Sequence, residues 1–254
     1  MPMIHGIMEG IFDLFYLSFA VYAGLTMLLK GKSPYVRLFG LMSLTLASGD
    51  SFHLIPRVIA LLTTGLNDYK ISLGLGKLIT SVTMTFFYLL LYFSIELRTQ
   101  TKSQFLRILC IGLTIIRVIL CLFPQNDWFS RTPPVSWGYY RNIPFLVLGI
   151  LIVSICLYHA IHSKDYSFLQ LAIAISLSFS FYVPVVVAVH LNPKLGMLMI
   201  PKTLCYVWII IITLRIYQKE RKEGLPQKLQ NTHQSHSRAT PAASDSKRST
   251  EKKD

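Results

Sequence analysis

Charge is what this chain has least of. Only 15% of its 254 residues are Asp, Glu, Lys or Arg, against about a quarter in ordinary soluble domains. A soluble globular domain is therefore excluded. Cysteine is scarce as well. The four thiols, Cys110, Cys121, Cys156 and Cys205, form no CxxC pair and sit in no Cys/His cluster. Neither a disulfide framework nor a zinc knuckle is supported, and the thiols read as small apolar packing residues. A basic segment ahead of the first apolar run is missing too. That run outlasts any signal-peptide core and carries His5, Glu9 and Asp13, so it reads as a retained first helix rather than a cleaved leader. No internal repeat is present, which argues against the usual repeat-built transporters. Strict alternation of apolar and polar residues is absent, which argues against spanning strands.

What the chain has in quantity is apolar length. Hydrophobic residues make up 52% of it. They gather in seven runs, about 7–29, 36–62, 73–97, 104–123, 142–162, 167–191 and 196–217. Each is about 20 residues or more, enough at about 1.5 Å per residue to cross a hydrocarbon core of about 30 Å. The expected fold is all-α: a bundle of seven transmembrane helices over 1–217, followed by a tail over 218–254. The tail is rich in Ser, Thr, Gln, Lys and Pro. It offers too little apolar surface to offset its ordering entropy, so it is expected to be disordered. The segment "RIYQKERKEG", 215–224, reads as a continuation of the last helix that stops at Gly224, its basic residues lying on an anionic leaflet.

The net charge of +13 does not point to nucleic acid, because its placement follows the membrane. Lys30, Lys32 and Arg37 share one side with Arg98, Lys102, Arg107, Lys164 and the ten Lys and Arg from Arg215 onward. The positive-inside rule then puts the N-terminus outside and the C-terminus in the cytoplasm, with the plasma membrane as the expected location. Membrane lipids are the expected partners. On the outer side, the loop 124–141, "PQNDWFSRTPPVSWGYYR", is rich in aromatics and reads as an interfacial belt, or as a lid.

Within that topology the intramembrane polar residues fall in the outer half, Glu96 excepted. Glu9 and Asp13 continue the i, i+4 stripe that starts at His5. "ASGDSFHLIPR", 47–57, puts Asp50, His53 and Arg57 on one stripe of the second helix. Lys77, Arg117, Arg141, His190 and Lys202 join them at similar depth, and four prolines, Pro56, Pro144, Pro184 and Pro201, interrupt the same half. Ionisable groups at the centre of a bilayer cost about 2.5–3.5 kcal/mol each on insertion scales, so they are tolerated where they face one another or a wet cavity. The expectation is a polar pocket between the first, second, third and seventh helices, open to the outside. Arg57, Lys77 and Arg117 also lie close enough to the interface to snorkel.

Glu9, Asp13, Asp50, His53, Arg57, Lys77, Arg117 and Lys202 are the candidate ligand-binding residues. Three of them are acids and four are bases, five with Arg141, so the pocket favours a small anionic ligand or a lipid headgroup. Asp50 and Lys202 are expected to face a common cavity and to be coupled electrostatically. No cofactor is implied. A metal held by Asp50 and His53 with Glu9 and Asp13 is the alternative, in an intramembrane hydrolase where Asp50 and His53 act as acid and base.

Three family patterns fail on the residues. Lys202 stands where a retinal lysine would, but the third helix supplies no counterion. "SIELRTQ" replaces the Asp/Glu-Arg-Tyr of G-protein-coupled receptors. The alkaline ceramidase and adiponectin/progestin receptor superfamily is matched by Glu9 and His53 only: Gly49 stands where its serine should be, and the seventh helix has no histidine. The phrases "GDSFHLIPR", "CLFPQNDW", "SFYVPVVV" and "MLMIPKTLCYVW" resemble a group of uncharacterised bacterial-type multi-pass membrane proteins. That resemblance implies the fold and no activity.

Overall fold

A computed structural model describes residues 2–63, 65, 68–130, 133–163 and 165–237, with the side chains of 2–5, 193 and 224–237 left aside. The expectations for Lys164, for 238–254 and for the His5 side chain lie outside these residues. Seven helices follow in order: α1 (Pro2–Lys30), α2 (Pro34–Leu62), α3 (Lys70–Thr99), α4 (Gln104–Leu122), α5 (Val135–Ser163), α6 (Tyr166–Ala188) and α7 (Met199–Ser237). All seven are long and apolar enough to cross a membrane. The protein is an all-α, multi-pass membrane protein with a seven-helix pattern.

The chain divides into two units, Met1–Tyr217 and Gln218–Asp254. In the second, the helix runs to Ser237, past Gly224. A glycine costs a helix about 1 kcal/mol relative to alanine, which is not by itself enough to end one. Lys219 and Glu223 sit 3.8 Å apart one turn from each other and support the helix there.

Helix ends follow local chemistry. Pro34 at the start of α2 has no N–H to leave unsatisfied. Ser103 accepts from the Leu106 amide at the start of α4, and Asp165 accepts from the Ser167 amide at the start of α6. Gln100 ends α3 in a left-handed conformation.

Neighbours in sequence pack as neighbours in space from α1 through α6. Helix α3 is the hub. It meets α2, α4 and α5, and its Phe87 ring lies 5.7 Å from Tyr206 of α7. The core runs along this hub through Met84, Phe87, Tyr88, Leu91 and Ile95, closed by Phe145 and Ile152 of α5 and Ile209 of α7. Large side chains such as Phe15, Phe105 and Ile161 point outward instead, as a lipid-facing surface requires.

Helices α1 and α2 approach closely because glycines meet at their crossing. A Cβ on Gly40 would stand 2.7 Å from the Gly24 carbonyl oxygen and 2.9 Å from the Leu28 Cα. Small residues at such a crossing let backbones touch, which is the main source of helix affinity in lipid. Helices α2 and α3 use the same device. Pro56 has no N–H for the Phe52 carbonyl, and that freed carbonyl sits against Gly76, where any Cβ would overlap it.

Candidate functional site

Several polar residues are gathered within the bundle. The ends of the helices that carry them hold α1 and α2 together first. Glu9 forms an ion pair with Arg57. One and two turns below, Asp13 is buried and Tyr16 donates a 2.7 Å hydrogen bond to Asp50 Oδ2. Asp13, Tyr16, Ala20, Ala23 and Met27 are all buried, so α1 turns one consistent stripe inward and the acid lies on it.

Asp50 and His53 look across the bundle towards Lys202 of α7, and both lie within its electrostatic reach. No ion pair joins Lys202 to either among the described residues. Its ammonium sits 4.1 Å from the Tyr182 ring centroid and 5.4 Å from that of Tyr206. Aromatic faces stabilise a buried ammonium by about 2 kcal/mol when water is absent. The electrostatic coupling expected of Asp50 and Lys202 is present, without an ion pair between them among the described residues.

Beyond Lys202 lies Arg117 of α4. Only 2% of it is exposed, and it ranks among the largest fully buried side chains. Its guanidinium lies flat on Phe145, 3.4 Å from the ring centroid, and its Nε and Nη1 have no hydrogen-bond partner. The snorkelling alternative is therefore corrected for Arg117: α4 turns this position into the core, where Phe145 and Tyr88 leave room for a flat cation. For Arg57 the outcome is an ion pair with Glu9, and Lys77 is exposed.

Arg141 completes the set. Its Nη1 donates 2.8 Å to Asn126 Oδ1, and its guanidinium lies 4.2 Å from the centre of the Trp128 ring. Asn126, fully buried, caps α4 by donating to the carbonyls of Leu120 and Phe123 at 2.7 and 2.9 Å, and Trp128 Nε1 donates 2.9 Å to Cys121. Trp128 thus has a local partner besides the belt expected of it. Its indole folds back over the end of α4, because freed C-terminal carbonyls need donors. Trp137 stacks on Phe123 instead, with centroids 5.5 Å apart.

The charges are thus graded across the bundle. The acids Glu9, Asp13 and Asp50 sit on α1 and α2, and Arg117, Arg141 and Lys202 sit among the rings of α4 to α7. A cleft of about 120 Å³ opens between α5 and α6, lined by Ile143, Leu146, Phe179, Tyr182, Val183 and Val187 among others. Tyr182 faces both places. Its ring carries Lys202, its edge lines the cleft, and its hydroxyl donates 2.7 Å to Asn142 Oδ1.

The hydrolase and metal alternatives meet two obstacles. Gly49 is held by α3: Thr80 donates 2.9 Å to its carbonyl, and a Cβ there would overlap Thr83, so no side chain fits where the hydrolase pattern needs a serine. Among the described residues, no group of three or more His, Cys, Asp or Glu is placed to share one ion, so Glu9, Asp13, Asp50 and His53 do not converge as a ligand set.

Sequence reading missed Tyr16, Asn126, Phe145, Tyr182 and Tyr206. Tyr16 was detectable, three residues after Asp13 on the same stripe. The other four gave no signal apart from ordinary aromatic and amide content.

The far ends of the helices are tied separately. Arg107 donates 2.9 Å to buried Glu96, and Arg98 donates 2.7 Å to Asp165 while covering Phe168. These pairs join the ends of α3, α4 and α6. They explain Glu96, the acid outside the main cluster.

No family model matches the chain, nor does any curated protein or solved structure.

Proposed function

We propose that the protein binds an anionic group, free or on a lipid, in the outer half of its bundle, as a receptor, sensor or permease-like unit. The observation that carries this reading is Arg117. A buried guanidinium with two unpartnered nitrogens is left with an unmet demand for acceptors, and breaking such a cation from its partner costs about 3–5 kcal/mol elsewhere. Phe145 offsets part of that through its ring face. A carboxylate or phosphate oxygen would supply the missing acceptors and would be shared with Lys202, which stands in electrostatic reach of Arg117. Glu9, Asp13, Asp50, His53, Arg57 and Lys77 then form the opposite wall, which orients the ligand.

The reading includes a topology with the N-terminus outside, the C-terminus cytoplasmic and the plasma membrane as location. Its support is the crowding of basic residues on the side of the loops 30–37 and 98–107 and of the tail.

The test is native mass spectrometry of protein reconstituted in nanodiscs of phosphatidylglycerol and phosphatidylcholine, with and without inorganic phosphate. Selective retention of phosphatidylglycerol identifies a lipid headgroup. A small adduct that appears only with phosphate identifies a free anion. Either adduct should be lost in Arg117→Met and Lys202→Met. Equal retention of both lipids, with no phosphate adduct, refutes the reading.

A further inference from the structure

Within the acidic wall, Asp13 has a need that an anion cannot meet. It is 6% exposed, and its Oδ2 is enclosed in the bundle without a hydrogen-bond partner. The groups that face it are Glu9 and Tyr16 on its own helix and Asp50 and Arg57 on α2. Arg57 is engaged by Glu9. Tyr16 donates its hydroxyl hydrogen bond to Asp50, and the cation that acts on Asp50 is Lys202. Three carboxyls therefore share two cations, and the one with no partner of its own is Asp13.

A buried carboxylate without a donor is among the most costly arrangements a protein interior can hold, and it is relieved by neutralisation. Neutralisation by a metal ion needs several oxygens around one point. Among the described residues no such group exists. A proton needs only one oxygen. The two helices also approach closely beside Asp13, where a Cβ on Gly10 would stand 3.0 Å from Val58 of α2.

We propose that Asp13 is a proton-binding site, a carboxyl that takes up and releases a proton between α1 and α2 in exchange with the outer aqueous side. The site stands whether or not an anion binds at Arg117 and Lys202.

The experiment is pH-difference infrared spectroscopy on the full-length protein in lipid bilayers. A protonated-carboxyl band present at mildly acidic pH should fade as the pH is raised past neutral. The band should vanish in Asp13→Asn and persist in Glu9→Gln and Asp50→Asn. As Asn is close in shape to a protonated Asp, Asp13→Asn should fold. Asp13→Glu in protein labelled with carbon-13 aspartate gives an independent reading, since the band must then lose its isotope shift. The proposal is overturned by a band that survives Asp13→Asn, by a band that keeps its isotope shift in Asp13→Glu, or by the absence of any titrating carboxyl band. It is also overturned if sodium in place of potassium abolishes the band, because the site would then take a metal cation.

Discussion

The ammonium of Lys202 rests on the ring of Tyr182, 4.1 Å from its centroid, and Asp50 is satisfied separately by Tyr16. Cation and ring should therefore be energetically coupled. Tyr182→Phe keeps the ring and loses only the bond to Asn142, about 1 kcal/mol. Tyr182→Leu removes the ring as well and should cost about 2 kcal/mol more. Thermal unfolding of the two variants in detergent, in the presence and absence of Lys202→Met, checks this. Equal losses for Phe and Leu would leave Lys202 independent of Tyr182.

Asp50 and Lys202 interact at a distance through the same region. A double-mutant cycle of Asp50→Asn and Lys202→Met should show coupling well below the about 3–5 kcal/mol of a broken buried ion pair. A coupling of that full size would mean that they meet directly.

The α1–α2 crossing offers a steric test. Gly40→Ala drives a methyl group into the Gly24 carbonyl and should destabilise the bundle by about 1–3 kcal/mol. Gly112 has nothing within 4 Å of its missing Cβ. Gly112→Ala should be neutral or stabilising by up to about 1 kcal/mol. Melting temperatures of the pair, measured side by side, decide it.

If anion and proton sites are linked, a bound anion cancels the positive charge that Lys202 lends to Asp50. The acids then repel one another more, and proton uptake at Asp13 becomes easier. Retention of phosphatidylglycerol should rise as the pH falls, and the slope should flatten in Asp13→Asn. A pH-independent retention in the native protein would show the two sites to be separate.

Orientation follows from charge. A reporter fused at the C-terminus should behave as cytoplasmic and one inserted in the loop 124–141 as external. Both on one side would contradict seven crossings.

The number of spans was legible because apolar length is a property of composition. The prolines were legible as missing donors, and α2 runs on through Pro56, with Gly76 of α3 leaving room for the carbonyl it frees. Rotation was much less legible. In a membrane both the core face and the lipid face of a helix are apolar, so α2 shows Phe39 buried and Phe52 exposed with no difference in residue type. For that reason the sequence could place Arg117 on a spanning helix without deciding whether it faced lipid or Phe145. Asp13 and Asp50 were readable as inward-facing because acids have no easy route to the interface. Their partners were not, since Tyr16 and Tyr182 look like any tyrosine until the helices are assembled.

Helix α4 is the shortest span, 19 residues against 30 for its neighbour α3. At about 1.5 Å per residue these are about 28 and 45 Å. Asn126 and Trp128 close α4 at Leu122, so it does not lengthen. A hydrocarbon layer of about 30 Å is matched by α4 only when it stands upright, whereas α3 must lean or project beyond the layer. Each added ångström of bilayer thickness falls first on α4, at a fraction of a kcal/mol per Å. The face that carries Arg117 is therefore the one most sensitive to membrane thickness, and it favours thin bilayers over thick ones.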